Sequence, residues 1–156
     1  MKISLLTIGK SNISYVNEAE AYYLPKLRHY TRFEYLKQEP KKLANADIAS
    51  IQKAEMELIM REKEGIDYLI LFDERGKQLS SRELASFIGQ MQNDSVRHSL
   101  WVIGGAYGFH TELYSKAKKI VSLSKMTFSH QLVRVIVLEQ LYRAFTILHN
   151  HPYHHD

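Results

Sequence analysis

Apolar and polar positions along the chain follow two periods, and the switches between them predict its elements. Lys2 to Ile8 is short, apolar and rich in branched side chains, and it stops at Gly9; such a run reads as a buried parallel strand. From about Asn12 to His29 the period becomes helical, with Val16, Ala19, Tyr23 and Leu27 near one face and Pro25 expected to kink or interrupt the latter part. Thr31 to Gln38 alternates as a second strand. Pro40 to Ala46 reads as a loop with two lysines. Asn45 or Asp47 caps a helix to about Glu64, with Ile48, Ile51, Met56, Leu58 and Ile59 as its apolar positions.

Gly65 ends that helix, and Tyr68 to Phe72 is a continuous apolar run, as in a strand covered on both faces. Asp73 to Lys77 predicts a turn at its carboxyl end. Ser80 or Ser81 starts a helix to about Gln92, with Leu84, Phe87, Ile88 and Met91 inward. His98 to Ile103 is the next strand, stopped by Gly104-Gly105. Phe109 to Lys118 predicts a short helix, Lys119 to Ser122 a short strand, and Ser129 to His149 the final helix. Alternating strands and helices argue an α/β fold with a mainly parallel sheet and helices on both faces. The absence of a repeat, low-complexity stretch or linker argues one domain over residues 1–156.

Composition narrows the function classes. There is no cysteine, so no disulfide framework and no thiolate metal site, which suits a cytoplasmic location. No segment has the length or character of a signal peptide or membrane span. The net charge is +4 and unevenly placed: residues 1–42 hold 8 Lys+Arg against 4 Asp+Glu, residues 43–94 hold 6 against 10, and residues 95–156 hold 7 against 3. Two positive ends are an electrostatic footprint for a phosphate backbone, although +4 alone is ordinary solubility charge.

Three strand exits carry the candidate chemistry: Phe72-Asp73, Ile103-Gly104-Gly105, and Ser122 to Phe128. In open parallel sheets ligands sit outside the carboxyl ends of strands, so neighbouring exits would form one pocket. Gly104, Gly105 and Gly108 allow close backbone approach and positive φ, but the Lys-Ser/Thr of a Walker loop is missing, which sets nucleotide hydrolysis aside. Leu123-Ser-Lys-Met-Thr-Phe128 can wrap an adenine by backbone hydrogen bonds between apolar walls, or plug the core while Ser129 caps the following helix. That helix offers Val133, Ile136, Val137, Leu141, Ala144, Phe145 and Leu148 for burial and sets Arg134, Glu139, Gln140 and Arg143 at more polar positions. Its broad apolar coverage suits contact with a second copy of the chain. The tail holds His149, His151, Tyr153, His154 and His155. Without cysteine or an acidic partner this cluster is a poor metal site; it reads either as a frayed end or as a segment acting near a reacting base.

Together these residues resemble one family. Val102-Ile-Gly-Gly105 with Gly108, Leu123 to Phe128 with His130, Arg134-Val, Glu139-Gln-Leu-Tyr-Arg-Ala144 and Pro152-Tyr-His154 are similar to the ribosomal large-subunit RNA methyltransferase H family, of the SPOUT methyltransferases. Met1-Lys-Ile, Ile8-Gly-Lys10, Asn45-Ala-Asp47, Leu71-Phe-Asp73 and Gly76-Lys77 extend the resemblance over nearly the whole chain; Ser129 stands where many relatives have proline. The resemblance implies a parallel α/β fold with a C-terminal trefoil knot, acting as a homodimer. It implies methylation at N3 of a pseudouridine in helix 69 of 23S rRNA, with S-adenosylmethionine as donor and the assembled 70S ribosome as substrate. By position, cofactor contacts fall on Phe72, Gly104, Leu123, Ser124, Lys125, Met126, Thr127 and Phe128, and the RNA-side catalytic roles on Arg143, Tyr153 and His154. A non-catalytic ribosome-binding factor is the alternative from another class, and a transferase acting on free tRNA a third.

Overall fold

In the computed structural model, which describes residues 1–40 and 46–154, five strands form one sheet in the order β2-β1-β4-β3-β5, every neighbouring pair parallel. The strands are β1 (Lys2–Ile8), β2 (Arg32–Gln38), β3 (Tyr68–Gln78), β4 (His98–Ile103) and β5 (Lys119–Ser122). The helices are α1 (Ser14–Tyr30), α2 (Ile48–Glu62), α3 (Ser81–Asn93), α4 (Thr111–Lys116) and α5 (His130–Leu148). One face of the sheet, through Ile3, Leu5, Ile70, Phe72, Trp101 and Ile103, packs against α1, α3 and α5. The other, through Leu6, Ile8, Leu69, Leu71, Leu100 and Val102, packs against α2 and α4. Apolar residues on both faces explain why Tyr68 to Phe72 of β3 reads as a continuous apolar run.

Local signals set most boundaries. Asp47 caps α2 by accepting from Ser50 N at 2.8 Å. Ser80 and Glu83 form a reciprocal capping box on α3. Ser129 Oγ accepts from Leu132 N at the start of α5. The alternative cap Asn45 and the two lysines expected in the loop after Pro40 lie outside the described residues, as does His155.

Four expectations need correction. Pro25 does not interrupt α1, which runs unbroken to Tyr30; the carbonyl left without a donor belongs to Ala21, on the exposed side, where water can solvate it. The turn at Asp73 to Lys77 is a four-residue excursion within β3: Val121 pairs with both Phe72 and Lys77, and pairing resumes through Gln78. Phe109 is not helical but buried, and α4 starts only at Thr111. Arg134, expected among the polar positions of α5, is fully buried. Its Nη2 donates to the carbonyls of Ile8 (3.0 Å) and Gly9 (2.9 Å), where β1 ends and its ladder leaves acceptors free.

Candidate active site

The cleft arises from how the chain leaves β5. That strand lies at one edge of the sheet, with β3 and β4 between it and β1. Yet α5 begins beside the exit of β1, where Gln131 Nε2 donates to Lys10 O at 3.0 Å. Residues 123–129 therefore cross the carboxyl ends of β3 and β4, a span of roughly 14 Å at ~4.8 Å per strand. Together with the excursion of β3 and residues 104–109 they enclose a cleft of about 590 Å³, within the size range of small-molecule sites.

Phe72 forms part of the floor, resting on Trp101 with ring centroids 5.7 Å apart. Gly104 and Gly105 form a backbone wall, and Leu123, Ser124, Met126, Thr127 and Phe128 line the opposite side. Seven of the eight positions expected to contact a cofactor thus come together. Lys125 is exposed and does not line the cleft. The 123–128 loop is held by hydroxyls: Ser122 Oγ donates to Ser124 O and Ser124 Oγ accepts from Met126 N, each at 2.9 Å. The other amides and carbonyls of the loop stay outside any sheet ladder.

The glycines matter for a different reason than the pattern suggests. Only Gly108 of the three has a positive φ, +72°. At Gly104 a Cβ would stand 2.9 Å from the Phe109 ring, and at Gly105 one would stand 2.2 Å from Glu55 Oε1. Close approach of protein side chains, not backbone conformation, sets these two glycines apart: a Cβ would have to displace the Phe109 ring or the Glu55 carboxylate.

The sequence places Asp73 at a strand exit but not among the cofactor contacts, and assigns no contact to Glu74, Tyr107 or His130 either, yet all four line the cleft. Asp73 is fixed at its rim, with Oδ2 accepting from Tyr114 OH and Oδ1 from Arg75 N, both at 2.9 Å. Its place directly after a buried strand was the available signal. Asp73 and Glu74 bring two carboxylates to the cleft against the one guanidinium of Arg75, a balance that suits a ligand carrying positive charge.

Arg143, Tyr153 and His154 form a second cluster. Glu139 Oε1 accepts from Arg143 Nε (2.9 Å), Arg143 Nη2 (2.6 Å) and Tyr153 OH (3.3 Å). The guanidinium lies over the Tyr153 ring, 4.9 Å from its centroid, and Nη1 is 3.3 Å from His154 Nδ1. Glu139 raises the Arg143 pKa, chiefly through its hydrogen bonds. Burial, followed by the neighbouring Tyr23, pushes the Tyr153 phenol up, so it stays protonated at neutral pH. The described part of the tail is docked: His151 N donates to Thr146 O at 2.9 Å, and Tyr153 packs edge-on against Tyr142. The structure does not bring this cluster to the cleft of its own chain. His130 lines the cleft and Arg143 lies 13 positions further along α5, ~20 Å at 1.5 Å per residue.

Comparison with known proteins adds the following. The family model described as "Predicted SPOUT methyltransferase" matches residues 1–154. The protein named ribosomal RNA large subunit methyltransferase H from Christiangramia forsetii is 44% identical over 156 residues, covering 99% of each chain. Its namesake from Parabacteroides distasonis is 41% identical over 157 residues, covering 100% of each. Among solved structures, a probable methylase family protein from Haemophilus influenzae shares the fold with a TM-score of 0.55 at 14% identity. The match covers 95% of this chain and 66% of that one.

Proposed function

The chain belongs to the SPOUT methyltransferase family, and from that premise we propose that it methylates N3 of a pseudouridine in helix 69 of 23S rRNA. The methyl donor is S-adenosylmethionine, the substrate is the assembled 70S ribosome in the cytoplasm, and the acting unit is a homodimer. The observation that carries this reading is the convergence of Phe72, Gly104 and the 123–128 loop on one cleft. Curated relatives of matching length that bear the name of a large-subunit RNA methyltransferase support it.

The cleft fits the donor in three respects. Residues 103–105 present main chain along one side of it, which can meet a flat ring by backbone contacts. Phe72, Leu123, Met126 and Phe128 give apolar cover for an adenine, with loop amides and carbonyls beside them. Asp73 and Glu74 outnumber Arg75 among the charged side chains of β3 at the cleft and offer negative charge to a cationic ligand. When bound, S-adenosylmethionine supplies an electrophilic methyl group on a sulfonium.

Arg143, Tyr153 and His154 act on the RNA side. Arg143 stands ~20 Å along α5 from the cleft, with Tyr153 and His154 against it, so the tail of a second chain completes each site. Arg143 holds phosphate or a developing enolate-like oxygen, and Tyr153, kept neutral, stacks on or hydrogen-bonds the base. The imide proton of the base must leave before N3 can attack. In the docked tail His154 Nδ1 faces Arg143, so its lone pair is taken up. His154 serves as general base once Arg143 turns to the RNA and frees that nitrogen. The positive ends of the chain lie against rRNA, which makes binding salt-dependent.

We further propose that α5 is threaded as a trefoil knot. Supporting this, the chain passes from the edge strand β5 to the exit of β1. The β3 excursion also meets β5 backbone to backbone: a Cβ on Gly76 would stand 2.6 Å from the carbonyl carbon of Ile120.

Methyl transfer from labelled S-adenosylmethionine to 70S particles, free subunits and tRNA, compared side by side, tests the substrate. Label in 70S particles is the expected result. Label in tRNA, or none anywhere despite donor binding, would contradict it.

A further inference from the structure

We propose that Glu55 is a positioning residue for the donor cleft: acting through Gly105, it sets where the backbone wall at 104–108 stands. The proposal rests on reading this cleft as the S-adenosylmethionine site.

Helix α2 lies on the face of the sheet away from α5, and two of its side chains grip the wall from behind. Gln52 and Glu55 are three residues apart and so share a helix face. Gln52 Nε2 donates to Tyr107 O at 2.7 Å. Glu55 Oε2 accepts from Gly105 N at 3.3 Å. One donor and one acceptor thus hold a carbonyl and an amide two residues apart in the loop.

Glu55 is an expensive choice for this place. Only 7% of its surface is exposed, and among the described residues it makes no ion pair. Burial holds its carboxyl above the usual carboxylate range. Its helix neighbours Leu58 and Ile59 are buried and apolar, so a leucine at 55 would suit the packing and avoid the desolvation cost. Stability therefore does not account for this carboxyl.

Gly105 supplies the second observation. A Cβ there would fall 2.2 Å from Oε1 and 2.9 Å from the carboxyl carbon of Glu55. The glycine and the carboxyl form a matched pair, each occupying space that any larger partner would deny the other. Gly105 also lines the cleft, so displacing the carboxyl moves the wall itself. Where reacting groups must meet closely, a shift of about 1 Å can cost as much as ~100-fold in rate.

The test uses the full-length protein and three readouts: calorimetric affinity for S-adenosylhomocysteine, KM and kcat on 70S particles, and Tm. Glu55→Leu removes the acceptor while keeping the volume; Glu55→Gln keeps an acceptor oxygen. Expected for Glu55→Leu is a loss of about tenfold in affinity, the scale of one hydrogen bond, with donor KM rising and Tm not falling. Glu55→Gln should retain most of the affinity. Gly105→Ala should mimic Glu55→Leu, and adding Glu55→Ala should restore part of what Gly105→Ala loses, which keeps the test valid even if the leucine variant does not fold. Wild-type affinity in Glu55→Leu, or affinity and Tm falling in proportion in all variants, would overturn the proposal alone. Failure of the unsubstituted protein to bind would overturn the cleft assignment and the proposal with it.

Discussion

Nη1 of Arg143 lies 3.3 Å from Nδ1 of His154. An arginine carries no lone pair, so any hydrogen bond between them requires the imidazole to accept at Nδ1. Arg143 also makes a fork with Glu139 through Nε and Nη2, and a lysine cannot keep both contacts. Arg143→Lys is therefore expected to lower kcat by about 100-fold, the scale of a lost positioned acid–base or charge-stabilising group. Donor affinity should stay within about twofold, because the cluster lies ~20 Å along the helix from its own cleft. Single-turnover transfer and calorimetry on the same preparation check both halves.

If the tail works in a partner's cleft, two dead chains should complement each other. Gly104→Leu forces a side chain toward the Phe109 ring and should abolish donor binding. Tyr153→Phe/His154→Ala should keep it but lose transfer. Co-expressed, about half the dimers are mixed and each holds one intact pair, so activity is expected at about a quarter of the unsubstituted level. Activity no higher than in either variant alone would place the tail in its own chain's site or outside the reaction.

Acid should destabilise the amino-terminal edge of the sheet in two steps. Lys2 and Ser4 both reach Glu34, and His98 Nε2 is 2.9 Å from Ser4 Oγ. Burial, then the neighbouring Lys2, lowers the His98 pKa, and the hydrogen bond from Lys2 is the largest cause lowering that of Glu34. Both groups bind protons more readily unfolded, so their stabilisation is complete above their unfolded values, ~6.5 and ~4.3, and is lost as pH falls through the folded ones. Tm should drop between pH 7.5 and 5.5, and His98→Gln should flatten that step while leaving the later one. An unchanged profile in His98→Gln would count against the assignment.

Arg134 ties α5 to the end of β1, and its Nε and Nη1 are buried without a partner among the described residues. Arg134→Ala would leave a cavity and strip two carbonyls of their donor, a loss of about 3–5 kcal/mol. Urea denaturation should register it as a lower midpoint. A loss below ~1 kcal/mol would mean that those carbonyls find other donors.

Much of this architecture was legible because apolar period and strand exits are local properties. Residues 68–72, 98–103 and 119–122 announce themselves as strands, and parallel topology then places their exits together. What stayed hidden depends on distant chain. Arg134 is buried because carbonyls more than 120 residues away need a donor; periodicity marks it only as a break in an apolar stripe. Glu55 is buried because Gly105 leaves it room, which no helical pattern around residue 55 reveals. The glycine pair was visible, but its purpose was not: the atoms that crowd it belong to Phe109 and Glu55. The docked tail depends on Tyr142, Glu139 and Thr146 of α5 meeting residues that, as a sequence, have the composition of a loose end.

Whether the cleft holds the methyl donor is decided by calorimetric titration of the full-length protein with S-adenosylmethionine, unsubstituted and as Gly104→Leu. Saturable binding is expected for the unsubstituted protein, lost in Gly104→Leu and kept in Tyr153→Phe/His154→Ala. No binding to the unsubstituted protein, or equal binding to Gly104→Leu, would contradict it.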